Sequence, residues 1–388
     1  MLPETRDDFE VAIICALPLE AAAVLDSFDE RYDKNGSKYG KQEGDTNTYS
    51  TGRIGRHNVV LAHMPGMGIS SAAGVASNIQ LSFKGTRLAL LVGVCGGAPL
   101  ERPTPAIVLG DVIVSNSVVE FDFGRQYPDR FERKTSLDDT LGRPNPEIRG
   151  LLSMLKIETM REELEETILQ NLAKLQEKRY TAKYPGVDHD RLFPASYQHI
   201  HRGETALQDC RCVSSQSNSN ASCSEALESS CDTLGCIVDV LDSPSRQLRF
   251  ASGAPTPFVH IGTIGSASTV MKSGEHRDFI ARKDNIIAFE MEGAGVWDNL
   301  PCVVIKGVCD YADSHKNKIW QDYAAATAAS TAKAFLDYWT SSSTIYIQEA
   351  LPGNGGARPV LKTTSALRMK LAAHRVRKGR MPRCPLCA

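Results

Sequence analysis

What the 388-residue chain lacks narrows its reading first. No apolar run approaches the roughly 20 residues that a membrane-spanning helix needs. Neither sign of charge dominates: 44 Lys and Arg face 46 Asp and Glu, a net charge of −2. That removes any global electrostatic case for nucleic acid or a membrane surface as partner. The opening stretch MLPETRDDFE has neither the basic segment nor the apolar core of a secretory leader. No internal repeat and no NTPase motif is found, so a stand-alone protein is the expectation. Cysteine is not scarce, at 11 residues, but Cys15, Cys95, Cys302 and Cys309 lie in apolar runs. There a thiol serves as a small buried hydrophobe rather than a disulfide partner. A cytoplasmic protein is expected.

What is present is a strand-turn-helix grammar. FEVAIICALPLEAAAVL is a β-branched run, a turn at Pro18 and an Ala-rich helix; HNVVLAHMPGMGISSAAGVASNI repeats the pattern. TRLALLVGVCGGAP is a continuous apolar strand ending in glycines, and AIVLGDVIVSNSVV reads as a strand pair around a Gly-Asp turn. PCVVIKGVCDYAD is a buried strand, followed by a helix from about Trp320 to Trp339. Unbroken Val/Ile/Leu strands alternating with helices imply an α/β fold whose mostly parallel sheet is covered on both faces. The expected architecture is a three-layer αβα sandwich around a mixed, mostly parallel twisted sheet.

A single domain over residues 8–340 is expected, with a long insertion at about 151–255. The insertion opens with a charged helix over Met154 to Lys178 and continues through a Ser- and Asn-rich stretch from Cys210 to Cys236. Residues 341–388 form a tail that turns Gly/Pro-rich and then basic, RMKLAAHRVRKGRMPRC. It reads as a disordered, solvated extension or a nuclear address.

In an open parallel sheet, ligands sit at the carboxyl ends of the strands. Four such places carry polar residues or glycines here: Glu20, the turn from Gly93 to Gly97, the pair Glu290 and Glu292 in FEMEG, and Asp310. Each also has a plain structural reading. Glu20 suits the first turn of a helix, the glycines suit a turn, and Asp310 suits an N-cap. Three carboxylate positions converging on one sheet edge favour a ligand with hydroxyls and a leaving group that needs a proton.

These blocks together, ALPLEAAAV, GVCGG…GDVIVS, FEMEG and IKGVCDYAD, resemble the nucleoside phosphorylase/nucleosidase superfamily over residues 8–150 and 256–340. The similarity points to its methylthioadenosine nucleosidase-like branch. YPGVDHDRLF and CDYADSHKNKIWQDYAAATAA resemble a fungal subgroup often N-terminal in immune-receptor-like proteins. The resemblance implies that Glu292 binds the ribose hydroxyls, Met291 packs on the sugar and Glu290 shapes the pocket. It implies that Glu20 holds the attacking water and that Asp310 protonates the departing purine. Gly93, Val94 and Gly96 form the glycine turn, and Val270 and Met271 are candidates for base contact. It further implies a small-molecule purine nucleoside as partner, no cofactor and a homo-oligomer.

Phosphorylases of that superfamily bind phosphate with arginine and serine, where this chain has Glu20, Leu91 and Val94. A dianion beside a carboxylate is disfavoured, so hydrolysis is expected over phosphorolysis. Ser268 stands where the nucleosidases carry Asp, which leaves the adenine-edge contact open. A non-catalytic nucleoside sensor is the alternative from another class. Cys210, Cys212, Cys223, Cys231 and Cys236, with His199 and His201, match no common zinc spacing. Free thiols in a polar loop, and no metal, are expected there and at Cys384 and Cys387. His189 is expected to serve as a lid or in packing.

Overall fold

The strands form wherever β-branched runs can bury both faces. In this computed structural model, which describes residues 2–33, 37–100, 105–202, 212, 222–238, 244–251, 253 and 255–340, the first half contains β1 (Val11–Cys15), α1 (Pro18–Ser27), β2 (Glu30–Arg31), β3 (Thr48–Ile54), β4 (His57–His63), α2 (Ile69–Ser82), β5 (Leu88–Gly97), β6 (Val112–Glu120), β7 (Gly124–Gln126) and β8 (Phe131–Arg133). After these come α3 (Pro146–Met154), α4 (Glu158–Lys178), α5 (Ser224–Glu228), α6 (Cys231–Leu234) and α7 (Pro244–Phe250). The last third holds β9 (Val259–Ser266), α8 (Gly274–Asp284), β10 (Ile286–Glu290), α9 (Gly293–Trp297), β11 (Cys302–Asp310) and α10 (Gln321–Tyr338). The tail beyond residue 340, with Cys384 and Cys387, lies outside the described residues, as does Cys210.

Nine strands form one mixed sheet in the order β10-β9-β6-β11-β5-β1-β4-β3-β2. β1 runs parallel to β4 and β5, and β5 runs parallel to β11. The sheet curls until β10 also pairs antiparallel with β5, Ala288 opposite Gly97 and Phe289 opposite Gly96. This closure brings the carboxyl end of β10 beside the glycine end of β5. Every residue of β1 and of β11 is buried, as expected where helices cover both faces. The α/β class and the layered, mostly parallel sheet are therefore as the sequence implies.

α10 packs on β11 and β5 and against α1 and α4, while α2 packs against α9. Its Ala-, Thr- and Ser-rich sequence is buried almost throughout. α4 turns Leu164, Ile168, Leu172 and Leu175 inward, the spacing of an amphipathic helix.

One element departs from the expectation. The expected strand pair in AIVLGDVIVSNSVV is a single strand, β6, preceded by a loop. Asp111 organises that loop, accepting from the Val108 and Phe258 amides at 3.0 Å, from His260 at 3.0 Å and from the Arg249 guanidinium at 2.6 and 2.8 Å. A side chain, not a neighbouring strand, satisfies part of this backbone.

Candidate active site

Glu20 sits in the first turn of α1, where β1 hands over to the helix. Its Oε2 accepts from the Ala16 and Leu17 amides at 2.9 and 2.8 Å, so the side chain caps its own helix. Its Oε1 accepts from the Val94 amide at 2.8 Å. Gly93 makes this approach possible, since a Cβ there would lie 2.1 Å from Glu20 Oε1. Glu20 is 2% exposed. Burial raises its pKa; nearby Lys306 opposes that rise and Glu292 adds to it.

β10 ends on Glu290, whose carboxylate accepts from the Glu292 amide at 3.0 Å and the Gly293 amide at 2.9 Å. The turn is thus tied to the strand, and Glu292 occupies the N-cap of α9. Glu292 Oε1 accepts from the Gly68 amide at 3.3 Å, and Oε2 accepts from Lys306 Nζ at 3.1 Å. Lys306 also lies 3.7 Å from Glu290. Burial pushes the Lys306 pKa down, but Glu292, Glu20 and Glu290 together override it and the net shift is upward. Burial likewise raises Glu290, against the pull of Lys306.

Asp310 closes β11. Its Oδ1 accepts from the Ala312 amide at 2.8 Å, and Lys316 Nζ lies 3.2 Å from Oδ2. Ala312 adopts φ 53°, a conformation that disfavours a β-carbon and that this bond helps to hold. Gly96 leaves space for Asp310, since a Cβ there would fall 2.7 Å from Oδ1.

These side chains face one cavity of about 220 Å³, lined by Glu20, Val94, Gly96, Val270, Glu290, Met291, Glu292 and Asp310 with Lys316 and Phe289 among others. Sequence positions far apart meet because three strand ends and the start of α1 share one edge. Met271 does not meet them. Expected beside the base, it is 7% exposed and belongs to a buried cluster with Phe121, Ile280 and Phe289, while Val270 lines the cavity.

Two lysines join the site that the sequence motifs do not mark. Lys306 was hidden inside an apolar run, where a lone charge needs a partner to be buried; that demand was the available signal. Lys316 lies in the loop after Asp310 and gave none. A second cavity of about 120 Å³ shares Cys309, Asp310 and Lys316 with the first and is lined by His189, Arg191, Phe193, His199 and His315. His189 accepts from Trp320 Nε1 through its carbonyl at 2.9 Å. Its neighbour Asp190 anchors the segment, taking Arg246 at 3.0 Å and the Tyr311 hydroxyl at 2.6 Å.

Residues 10–178 match the model of the phosphorylase superfamily. The match is to less than half of the chain, and the similarity to this superfamily is carried by that span. A nucleotide-binding leucine-rich repeat (NLR)-like protein of Hyaloscypha variabilis is 30% identical over 336 residues. That covers 85% of this chain and 29% of that protein, so the chain spans under a third of its relative.

Solved structures similar to this chain include the futalosine hydrolase of Helicobacter pylori, 14% identical, covering 85% of this chain and 98% of that one, with a TM-score of 0.47. The 5′-methylthioadenosine/S-adenosylhomocysteine nucleosidase of Neisseria meningitidis bound to methylthio-immucillin-A is 16% identical, with coverages of 84% and 98% and a TM-score of 0.46. The Streptococcus pneumoniae nucleosidase with 8-aminoadenine is 16% identical, with coverages of 85% and 100% and a TM-score of 0.48. These likenesses assign no activity to this chain.

Proposed function

We propose that the chain is a purine nucleoside hydrolase that cleaves the N-glycosidic bond of adenosine-type nucleosides to free base and ribose. One observation carries the reading: Glu20, Glu292 and Asp310 line a single cavity, with Lys306 buried behind the glutamates. Breaking a bond between ribose and a purine builds positive charge on the sugar and negative charge on the base. Glu20, Glu290 and Glu292 gathered around the buried Lys306 ammonium leave an anionic surplus that favours the sugar cation. Glu292 takes the ribose hydroxyls while Lys306 holds it in place. Glu20, its pKa raised by burial, accepts a proton from the attacking water as oxygen bonds to the anomeric carbon. Asp310 passes a proton to the base as the carbon–nitrogen bond breaks, and Lys316 beside it stabilises the charge that develops there. Water and nucleoside are consumed; base and ribose are released.

Phosphate fits this cavity poorly. Among the described residues its lining includes no arginine, and the Val94 amide already donates to Glu20. The domain proposed to do this chemistry spans residues 8–340, as a cytoplasmic homo-oligomer without a cofactor. The deciding experiment incubates adenosine, inosine, methylthioadenosine and AMP with the protein, with and without phosphate, and identifies the sugar. Ribose formed independently of phosphate supports hydrolysis; phosphate-dependent ribose 1-phosphate identifies a phosphorylase instead. The NLR-like relative favours a second reading, a nucleoside-sensing module. Stoichiometric nucleoside binding without any turnover in the same assay would select it.

A further inference from the structure

The cysteine-bearing insertion reaches the loop after Asp310 through a group of soft ligands that the reaction does not use. His199, Cys236 and His315 are 3%, 6% and 6% exposed, and one ligand atom from each lies within 4.8 Å of the others. Cys231 joins them from the start of α6, its Sγ 3.9 Å from His199 Nδ1. Cys236 Sγ is 3.6 Å from the same nitrogen. The turn between the two cysteines is tight: Gly235 has φ 70°, and the Cys236 amide donates to the Cys231 carbonyl at 2.9 Å.

Two further observations point to an ion. His199 Nε2 lies 2.9 Å from the Ser229 carbonyl, which can only accept, so Nε2 carries the proton and Nδ1 turns its lone pair toward the sulfurs. A second ring nitrogen held by a carbonyl is the usual support of a metal-binding histidine. His315 is the stronger case. Neither of its ring nitrogens has a hydrogen-bond partner, although both are buried. Asp313 approaches Nδ1 only to 3.6 Å. Phe193 stacks on the His315 ring at 3.7 Å and His199 meets it edge-on at 5.1 Å, so the imidazole is fixed in place with its polar atoms unused. Buried polar atoms left unsatisfied are costly, and a bound cation would satisfy them.

We propose that His199, Cys231, Cys236 and His315 form a structural zinc site that ties the insertion to the loop carrying Lys316. Two nitrogens and two sulfurs are a donor set that suits tetrahedral Zn²⁺. An ion about 2.0–2.1 Å from nitrogen and about 2.3 Å from sulfur holds those two atoms about 3.6 Å apart, the separation between His199 and Cys236. The site escapes the spacing of the cysteines because its fourth ligand comes from the other end of the fold, five residues beyond Asp310. A neighbouring trio, His201, Cys212 and Cys223, also gathers its ligand atoms within 4.8 Å, so the test counts ions by difference.

The 388-residue chain prepared with reductant and analysed by plasma mass spectrometry should carry zinc. The variant Cys231→Ser/Cys236→Ser should carry one equivalent less. Cobalt exchanged into the wild type should give thiolate charge-transfer absorption, and His315→Gln, which keeps both thiols, should shift it. A chelator should lower the melting temperature of the wild type and leave a folded double-serine variant where it is. Three results would each overturn the site: wild type that takes up no zinc when offered it, a double-serine variant that retains its full complement, or a Cys231–Cys236 disulfide in the reduced preparation. Should the double-serine variant not fold, the effect of His315→Gln on the cobalt spectrum decides, an unchanged spectrum counting against the site.

Discussion

Lys306 and Glu292 form an ion pair, Nζ to Oε2 3.1 Å, with both side chains almost wholly out of water. The lysine comes from the middle of β11 and the glutamate from the cap of α9, so one contact fixes a strand to the turn between β10 and α9. Removing one partner of a buried pair strands the other's charge. Lys306→Met leaves Glu292, Glu290 and Glu20 without their cation and should cost about 3–5 kcal/mol of stability. Lys306→Arg should cost much less. Urea denaturation of both variants checks this; a methionine variant as stable as the wild type would show that the glutamates are neutral in the fold.

Glu20→Gln separates stability from catalysis. Burial raises the Glu20 pKa above its ordinary 4.5. The unfolded chain therefore gives up this proton first as pH rises. The stability contributed by the protonated form is full below about pH 4.5 and is lost as pH climbs through the higher folded value. Glutamine has no such titration. The melting temperature of Glu20→Gln minus that of the wild type should thus be smallest in acid and grow to a plateau toward neutrality, while turnover disappears. Differential scanning fluorimetry from about pH 4 to about pH 8 reads the difference, in which the other groups largely cancel. A difference that shrinks with rising pH refutes the raised pKa.

How much of this was legible in the sequence depended on where the partners lie. The strands could be read because β1, β5 and β11 are runs that bury both faces, a local property. Glu20, Glu292 and Asp310 stood out because each is a charge at the carboxyl end of such a run, or just past it. The apolar run Ala106 to Leu109 also looked like a strand, yet its hydrogen bonds go to Asp111 and other loop groups, and nothing local announces that. Lys306 has no local mark because its three carboxylate neighbours arrive from α1, from the end of β10 and from the cap of α9. His315 could not be joined to the cysteines for the same reason. Tertiary pairing, not composition, decides these positions.

If Glu292 reads the ribose diol, wild-type protein should discriminate against 2′-deoxynucleosides. Each hydrogen bond from a hydroxyl to this charged acceptor is worth about 1.5–3 kcal/mol. Glu292→Ala should lose that preference along with most of its rate. Comparing kcat/KM for adenosine and 2′-deoxyadenosine on both proteins is sufficient. Equal values on the wild type would show that the diol is not recognised.

In the proposed reaction Asp310 supplies a proton to the leaving group and Lys316 a charge beside it. Asparagine at 310 keeps the size and can still bond to the Ala312 amide through its oxygen, but it delivers no proton. The loss should fall on kcat, by about 100- to 10,000-fold, the usual range for a general acid, with a smaller effect on substrate binding. Lys316→Met removes the ammonium 3.2 Å from the carboxyl without removing the donor, so its effect on kcat should be smaller than that of Asp310→Asn. A 4-nitrophenyl riboside, whose leaving group needs no proton, distinguishes the roles. Asp310→Asn should hydrolyse it at close to the wild-type rate, whereas Glu20→Gln, which disables water activation, should slow both substrates. Equal damage to both substrates from Asp310→Asn would mean that Asp310 holds the loop through Ala312 and Lys316 and is not the proton donor.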